Sequence, residues 1–163
     1  MAEEQVAAPQ GSSAQDQQPG FGIEKIYIKD LSLEIPHAPQ IFVQREAPQV
    51  SIELGNSTTM LEDGIFEVVI TVTVTSKVGD KTVFLVEVAQ AGIFQVRNVP
   101  AESLEMIASV TCPNILFPYA REAVSDLVTR AGFPPVLLTP INFEALYAQQ
   151  KQQAAQAAGE TAH

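Results

Sequence analysis

The hydrophobic period of this chain changes once, near Pro100, from the alternation of β-strands to the longer repeat of α-helices. That change limits the fold more than any other feature. Upstream, Ile23–Ile35, Val50–Leu54, Ile65–Thr75 and Val83–Gln90 are rich in β-branched and aromatic residues and read as four strands. Val78-Gly79-Asp80-Lys81 supplies a tight turn between the last two, with glycine at the first central position of a hairpin. Gly55–Gly64 reads as the loop from the second strand to the third. Thr59 and Glu62 within it match a capping box, but no long helix follows, so they read as a turn. Pro36, Pro39 and Pro48 prevent the link between the first and second strands from being strand throughout.

Downstream, Pro100 opens a short helix through Ser109, with Leu104, Ile107 and Ala108 on one face. Proline at 118 suits only the first turn of a helix, so a second helix is expected to begin near Pro113–Phe117. Tyr119 or Ala120, then Ala123, Val124, Leu127, Val128 and Ala131, form its apolar stripe, and Gly132 ends it. Asp126 and Arg130 stand four apart on its polar side. Phe133–Pro140 is a proline-rich apolar linker, and Asn142 caps a last helix through Phe143, Leu146 and Tyr147. Strands followed by helices make an α+β domain: a four-stranded antiparallel sheet with helices packed on one face.

Parity within the strands separates two faces. Phe66, Val68, Ile70, Val72 and Val74 share one side with Phe84, Val86 and Val88, Leu31, Leu33 and Ile35, and Val50, Ile52 and Leu54. The opposite side carries the acids Asp30, Glu34, Glu53, Glu67 and Glu87, with Leu85 among them and few matching bases. Acids on the wet side of a half-exposed sheet are ordinary, but their shortage of partners also suits a docking surface for a basic molecule. Lys25 and Lys29 share the parity of Leu31, which predicts a bulge or register change near Lys29.

Charge and composition exclude several functions. A net charge of −10 argues against sequence-independent binding to nucleic acid or anionic lipid. A hydrophobic fraction of 46% is too high for a chain disordered throughout. Apolar runs such as Val83–Val86 are too short to cross a bilayer, and Met1-Ala2-Glu3-Glu4 does not read as a secretory signal. The expectation is a cytoplasmic protein that does not insert into membranes. Residues 1–20 read as a disordered Ala/Gln/Ser/Pro arm, and residues 149–163 as an Ala/Gln tail that extends the last helix before fraying at Gly159.

Candidate chemistry is sparse. There is no glycine-rich phosphate loop, and the chain's one cysteine, Cys112, has only His37 and His163 as possible metal-binding companions. Cys112 reads as a packed thiol, and no cofactor or metal is expected. Phe117, Tyr119, the run Phe133-Pro134-Pro135-Val136-Leu137-Leu138, Phe143 and Tyr147 cluster around the second helix and its linker. They form either a core seam or an accessible apolar groove beside the second strand. An acid such as Glu144 beside that cluster would suit a carrier for small apolar ligands or an acid/base enzyme.

Thr111-Cys112-Pro113-Asn114-Ile115-Leu116-Phe117-Pro118-Tyr119-Ala120-Arg121-Glu122 resembles the most distinctive motif of the SecB family of bacterial export chaperones. Ile26–Glu34, Glu67–Thr75, Ala91-Gly92-Ile93-Phe94 and Pro140–Leu146 resemble the family in order and spacing, so the likeness spans roughly residues 21–148. The resemblance implies a homotetramer, a dimer of dimers with helices sandwiched between two sheets. It implies an ATP-independent holdase, not an enzyme, that keeps unfolded precursors export-competent and delivers them to the SecA motor. The family's SecA-docking residues fall on Asp30, Glu34, Leu85 and Glu87, facing a basic, zinc-stabilised segment whose metal belongs to SecA. Its client groove falls on Val50, Ile52 and Leu54 and on the linker and last helix, at Phe133, Leu137 and Tyr147. The long arm before Phe21, the Ala/Gln tail and the lack of tryptophan depart from the pattern.

Overall fold

The structure, a computed structural model, describes residues 17–160. Most of the expected N-terminal arm, and the last three residues of the tail with His163, lie outside the described residues. Four strands, β1 (Gly20–Glu34), β2 (Gln49–Glu62), β3 (Ile65–Val78) and β4 (Lys81–Arg97), form one antiparallel sheet in the order β1-β4-β3-β2. Three helical segments follow: α1 (Ala101–Met106), α2 (Cys112–Arg130) and α3 (Phe143–Glu160). The expected order of strands, then helices, is what the chain adopts.

The core lies between the inner face of the sheet and α2. Val68, Ile70, Val72 and Val74 on β3 and Val86, Val88 and Phe94 on β4 are fully buried, as are Leu116, Ala120, Val124 and Val128 on α2. Ala120, rather than Tyr119, therefore belongs to the stripe, and Tyr119 is exposed. Gly79 at the hairpin and Gly132 after α2 both adopt positive φ, +57° and +92°, where a Cβ is penalised. At Gly132 the terminus is a Schellman motif: the Phe133 amide donates to the Val128 carbonyl and the Gly132 amide to Thr129. Asn142 caps α3 as expected, accepting from the Ala145 amide at 3.0 Å.

Three boundaries differ from the expectation. The segment expected to loop from Gly55 to Gly64 is strand as far as Glu62, turning only at Asp63 and Gly64. Its polar run pairs with Val68, Val69 and Ile70 of β3, which an edge strand permits because its outer flank stays in water. β4 likewise runs on past Gln90 to Arg97. No new helix starts at Pro113–Phe117; helix is continuous from Ala101 to Arg130 and holds both Pro113 and Pro118. A wide turn at Ile107–Thr111 resolves the conflict, with the Cys112 amide donating to the Ile107 carbonyl five residues back. Widening the helix there moves the preceding turn away from the ring of Pro113, which cannot donate.

Candidate functional site

β2 is an edge strand, and α2 lies over β3 and β4, so the inner side of β2 is left without a helical cover. Val50, Ile52 and Leu54 stand there opposite Ser76, Val74 and Val72. The linker after α2 sends Leu138 into the core and packs Phe133, Val136 and Ile141 against it. Two apolar concavities result. One, of about 170 Å³, is lined by Ile52, Leu54, Val72, Phe117, Leu138 and Ile141. The other, of about 280 Å³, is lined by Ile41, Phe42, Pro48, Val78, Val83, Phe133 and Pro134, with Gln44 and Glu46 the polar residues of its wall. Its aromatic wall is ordered by ring contacts: Phe133 lies 5.2 Å from Phe42 and 5.0 Å from Phe84, centroid to centroid. Ile52 retains 50% of its accessible surface, so this lining is open to solvent.

Not every residue expected in a groove is in these two. Leu137 is exposed against the polar side of α2, beside Arg121, Glu122 and Thr129. Tyr147 is half-buried on α3, with the Lys151 ammonium 5.4 Å above its ring. Leu138, one of the clustered linker residues, lines the first concavity, while Phe42 and Ile141 line the concavities without having been singled out from sequence. The apolar trio Ile41-Phe42-Val43 among prolines was the signal available for Phe42. Glu144 is exposed on the first turn of α3.

The opposite face of the sheet is polar and acidic. Glu34 stands opposite Leu85, Ser32 opposite Glu87 and Asp30 opposite Ala89, so Asp30, Glu34, Leu85 and Glu87 occupy neighbouring rows of β1 and β4. On β3, Thr73 faces Glu87 and donates to its carboxylate at 3.1 Å. Glu53 continues the Glu87 row onto β2.

That alignment depends on the irregularity expected near Lys29. The pairing of β1 with β4 skips one residue between Ile28 and Asp30, and another between Ile23 and Lys25. The Lys29 ammonium donates to Glu67 at 2.6 Å and the Tyr27 hydroxyl to the other oxygen of the same carboxylate. From the inner side, the Gln90 amide donates to the Tyr27 carbonyl at 3.0 Å. Glu67 is thus not one of the unpartnered acids that parity alone suggested. The bonds from Lys29 and then Tyr27 hold its carboxyl below the usual 4.5. The bond to Glu67, then burial, push the Tyr27 hydroxyl up to about 12.

Cys112 is buried, and burial alone pushes its thiol up to about 12, as a packed cysteine requires. Among the described residues no group of three or more His, Cys, Asp or Glu is arranged to hold a metal ion. Nor is any helix there long and apolar enough to cross a membrane.

The family model for the preprotein translocase subunit SecB matches residues 14–154. The chain belongs to the SecB family. It is 75% identical to the protein-export protein SecB of Methylobacillus flagellatus over 163 residues, the whole of both chains. It is 62% identical to that of Chromobacterium violaceum over 146 residues, covering 90% of this chain and 97% of the relative. Among solved structures, the SecB-like chaperone of Mycobacterium tuberculosis, in complex with a peptide from the HigA1 antitoxin, has the same fold. The TM-score is 0.62 at 21% identity, over 74% of this chain and 90% of that one. The protein is accordingly a member of the protein-export chaperones, the family its sequence motifs resemble.

Proposed function

We propose that the protein is an ATP-independent cytoplasmic holdase that binds unfolded precursors in the apolar concavities beside β2 and hands them to SecA through the acidic face. The observation that carries this reading is the separation of two chemistries on one sheet. Open apolar lining lies along the inner edge, and acids lie on the outer face at the far edge. An unfolded segment laid along β2 needs apolar pockets and no catalytic group. Val50, Ile52, Leu54 and Phe133 take its side chains, and Tyr147 adds apolar surface on α3, whereas Leu137, on the polar side of α2, lies apart from this path. Burying ~500 Å² of apolar surface is worth roughly 12 kcal/mol gross, while each ordered client residue costs about 1–2 kcal/mol of backbone entropy. One groove therefore holds a segment weakly.

Assembly supplies the remainder. Phe21, Ile23, Ile28 and Leu31 on β1 and Tyr119 on α2 are exposed in the single chain. These surfaces fit a homotetramer, a dimer of dimers, in which several grooves act on one client and raise avidity without new contacts. Asp30, Glu34 and Glu87 then steer a basic segment of SecA, with Leu85 supplying apolar contact among them.

A refolding assay with a slowly folding precursor and no nucleotide tests both faces. The wild type should slow refolding and suppress aggregation. Ile52→Asp should abolish that effect while keeping SecA binding, and Glu87→Lys should weaken SecA binding about tenfold while keeping it. Absence of any effect on refolding overturns the holdase reading, and the reverse pattern in the two variants means the faces are exchanged.

A further inference from the structure

We propose that Tyr27, Lys29 and Glu67 act together as positioning residues for the acidic face, by deciding which residue of β1 occupies the bulge. The inference rests on the reading of that face as a docking surface. Its starting point is a conflict in the pattern of β1. Ile28 faces inward opposite Gln90, and Leu31 faces inward opposite Val88. Two residues separate them in β1, but only Ala89 separates their partners in β4. One extra residue must therefore be absorbed, and hydrophobic patterning does not say whether it is Lys29 or Asp30.

The polar contacts make that choice. Glu67 is on β3, beyond β4, and its side chain is only 12% exposed, whereas Lys29 is 51% exposed and reaches across to it. Tyr27 donates to the same carboxylate, and the Gln90 amide takes the Tyr27 carbonyl from beneath the sheet. With Lys29 drawn toward Glu67 as the bulged residue, Asp30 stands opposite Ala89, one row from Ser32 and Glu87. Were Asp30 the bulged residue, Lys29 would take the place opposite Ala89 and set a positive charge in the middle of the acidic rows. The same three side chains thus place an acid in the docking face and tie its base to Glu67. Lys25, opposite Ile93, is the other base near this cluster, and no bond ties it to Glu67.

The proposal makes a prediction opposite in sign to that of a plain charge field. Lys29→Met removes a positive charge from beside the acids, so a field alone would tighten binding of a basic partner. Loss of the tether instead lets the bulge exchange between positions 29 and 30. If the competent form falls to about a third, the apparent affinity falls about threefold. Tyr27→Phe changes no charge at neutral pH and should weaken binding in the same direction. Glu67→Gln, which keeps an acceptor for the Tyr27 hydroxyl, should lose less than Glu67→Ala.

Affinity for purified SecA would be measured for these four variants, together with cross-strand backbone NOEs between residue 30 and Ala89. Weakened binding by Lys29→Met and Tyr27→Phe, with a diminished NOE between 30 and 89, is the expected result. Unchanged or tighter binding with an intact NOE overturns the proposal. If the wild type itself fails to bind SecA, the docking reading fails. The NOE arm then decides separately whether the cluster sets the bulge.

Discussion

Ser76 is fully buried on the inner face of β3, between Val50 of β2 and Phe84 of β4, and its hydroxyl has no hydrogen-bond partner among the described residues. A buried polar group without a partner costs about 1–3 kcal/mol, and alanine fills nearly the same volume. Ser76→Ala should therefore raise stability by about 1 kcal/mol, seen as a higher urea midpoint at unchanged slope. A clear loss of stability would mean that the hydroxyl is bonded. Other single residues were legible in sequence to different degrees. The parity of Lys29 pointed to a bulge, and the bulge is there. Its partner was not legible, because Glu67 lies 38 positions away and on a strand with which β1 does not pair. Cys112 was read as packed, and its burial agrees.

Among elements, β1 and β3 are joined across β4 by the Tyr27–Glu67–Lys29 cluster, and this link is sensitive to pH at both ends. Glu67 titrates below its ordinary value of 4.5, so its contribution is present above that value and is lost as pH falls through the lower, folded one. Tyr27 titrates at about 12 instead of 10.0, so its contribution is present below 10.0 and disappears as pH rises toward 12. Cys112, raised from 9.0 to about 12, adds to the same alkaline loss. Urea midpoints should fall less between pH 7 and pH 3 in Glu67→Gln than in the wild type (a flattening of about one acid limb). Tyr27→Phe should soften the alkaline limb without removing the part due to Cys112, and unchanged limbs in both variants would show that the link does not contribute. Element boundaries were less legible than element types. Pro118 suggested a new helix start near Pro113–Phe117, but a single wide turn absorbs Pro113, and the packing of Leu116, Ala120 and Val124 on the sheet favours one continuous helix. The polar stretch of β2 looked like loop because strand propensity is weak at Gly55, Asn56 and Ser57; pairing with β3 overrides it.

At the scale of the whole molecule, four copies would carry four times the formal −10 of one, a repulsion that only extensive apolar contact offsets. The exposed inner residues of β1, Phe21, Ile23, Ile28 and Leu31, would supply such contact in the proposed tetramer. Light scattering at micromolar concentration and moderate salt should give about four times the chain mass. A charged substitution such as Ile23→Glu should lower it, and a monomeric wild type would remove the avidity argument. The sequence by itself determined the α+β class, the two faces of each strand, the stripe on α2, the caps at Asn142 and Gly132 and the need for a bulge in β1. All of these follow from periods and turn chemistry within a few residues of one another. Only the tertiary structure decided that Phe42 and Phe84 enclose Phe133, that Leu137 faces away from β2, and that Lys29 is tied to Glu67 rather than left unpaired among the acids of the outer face. Those outcomes depend on strand order and on side chains brought together across tens of residues, which no local pattern records.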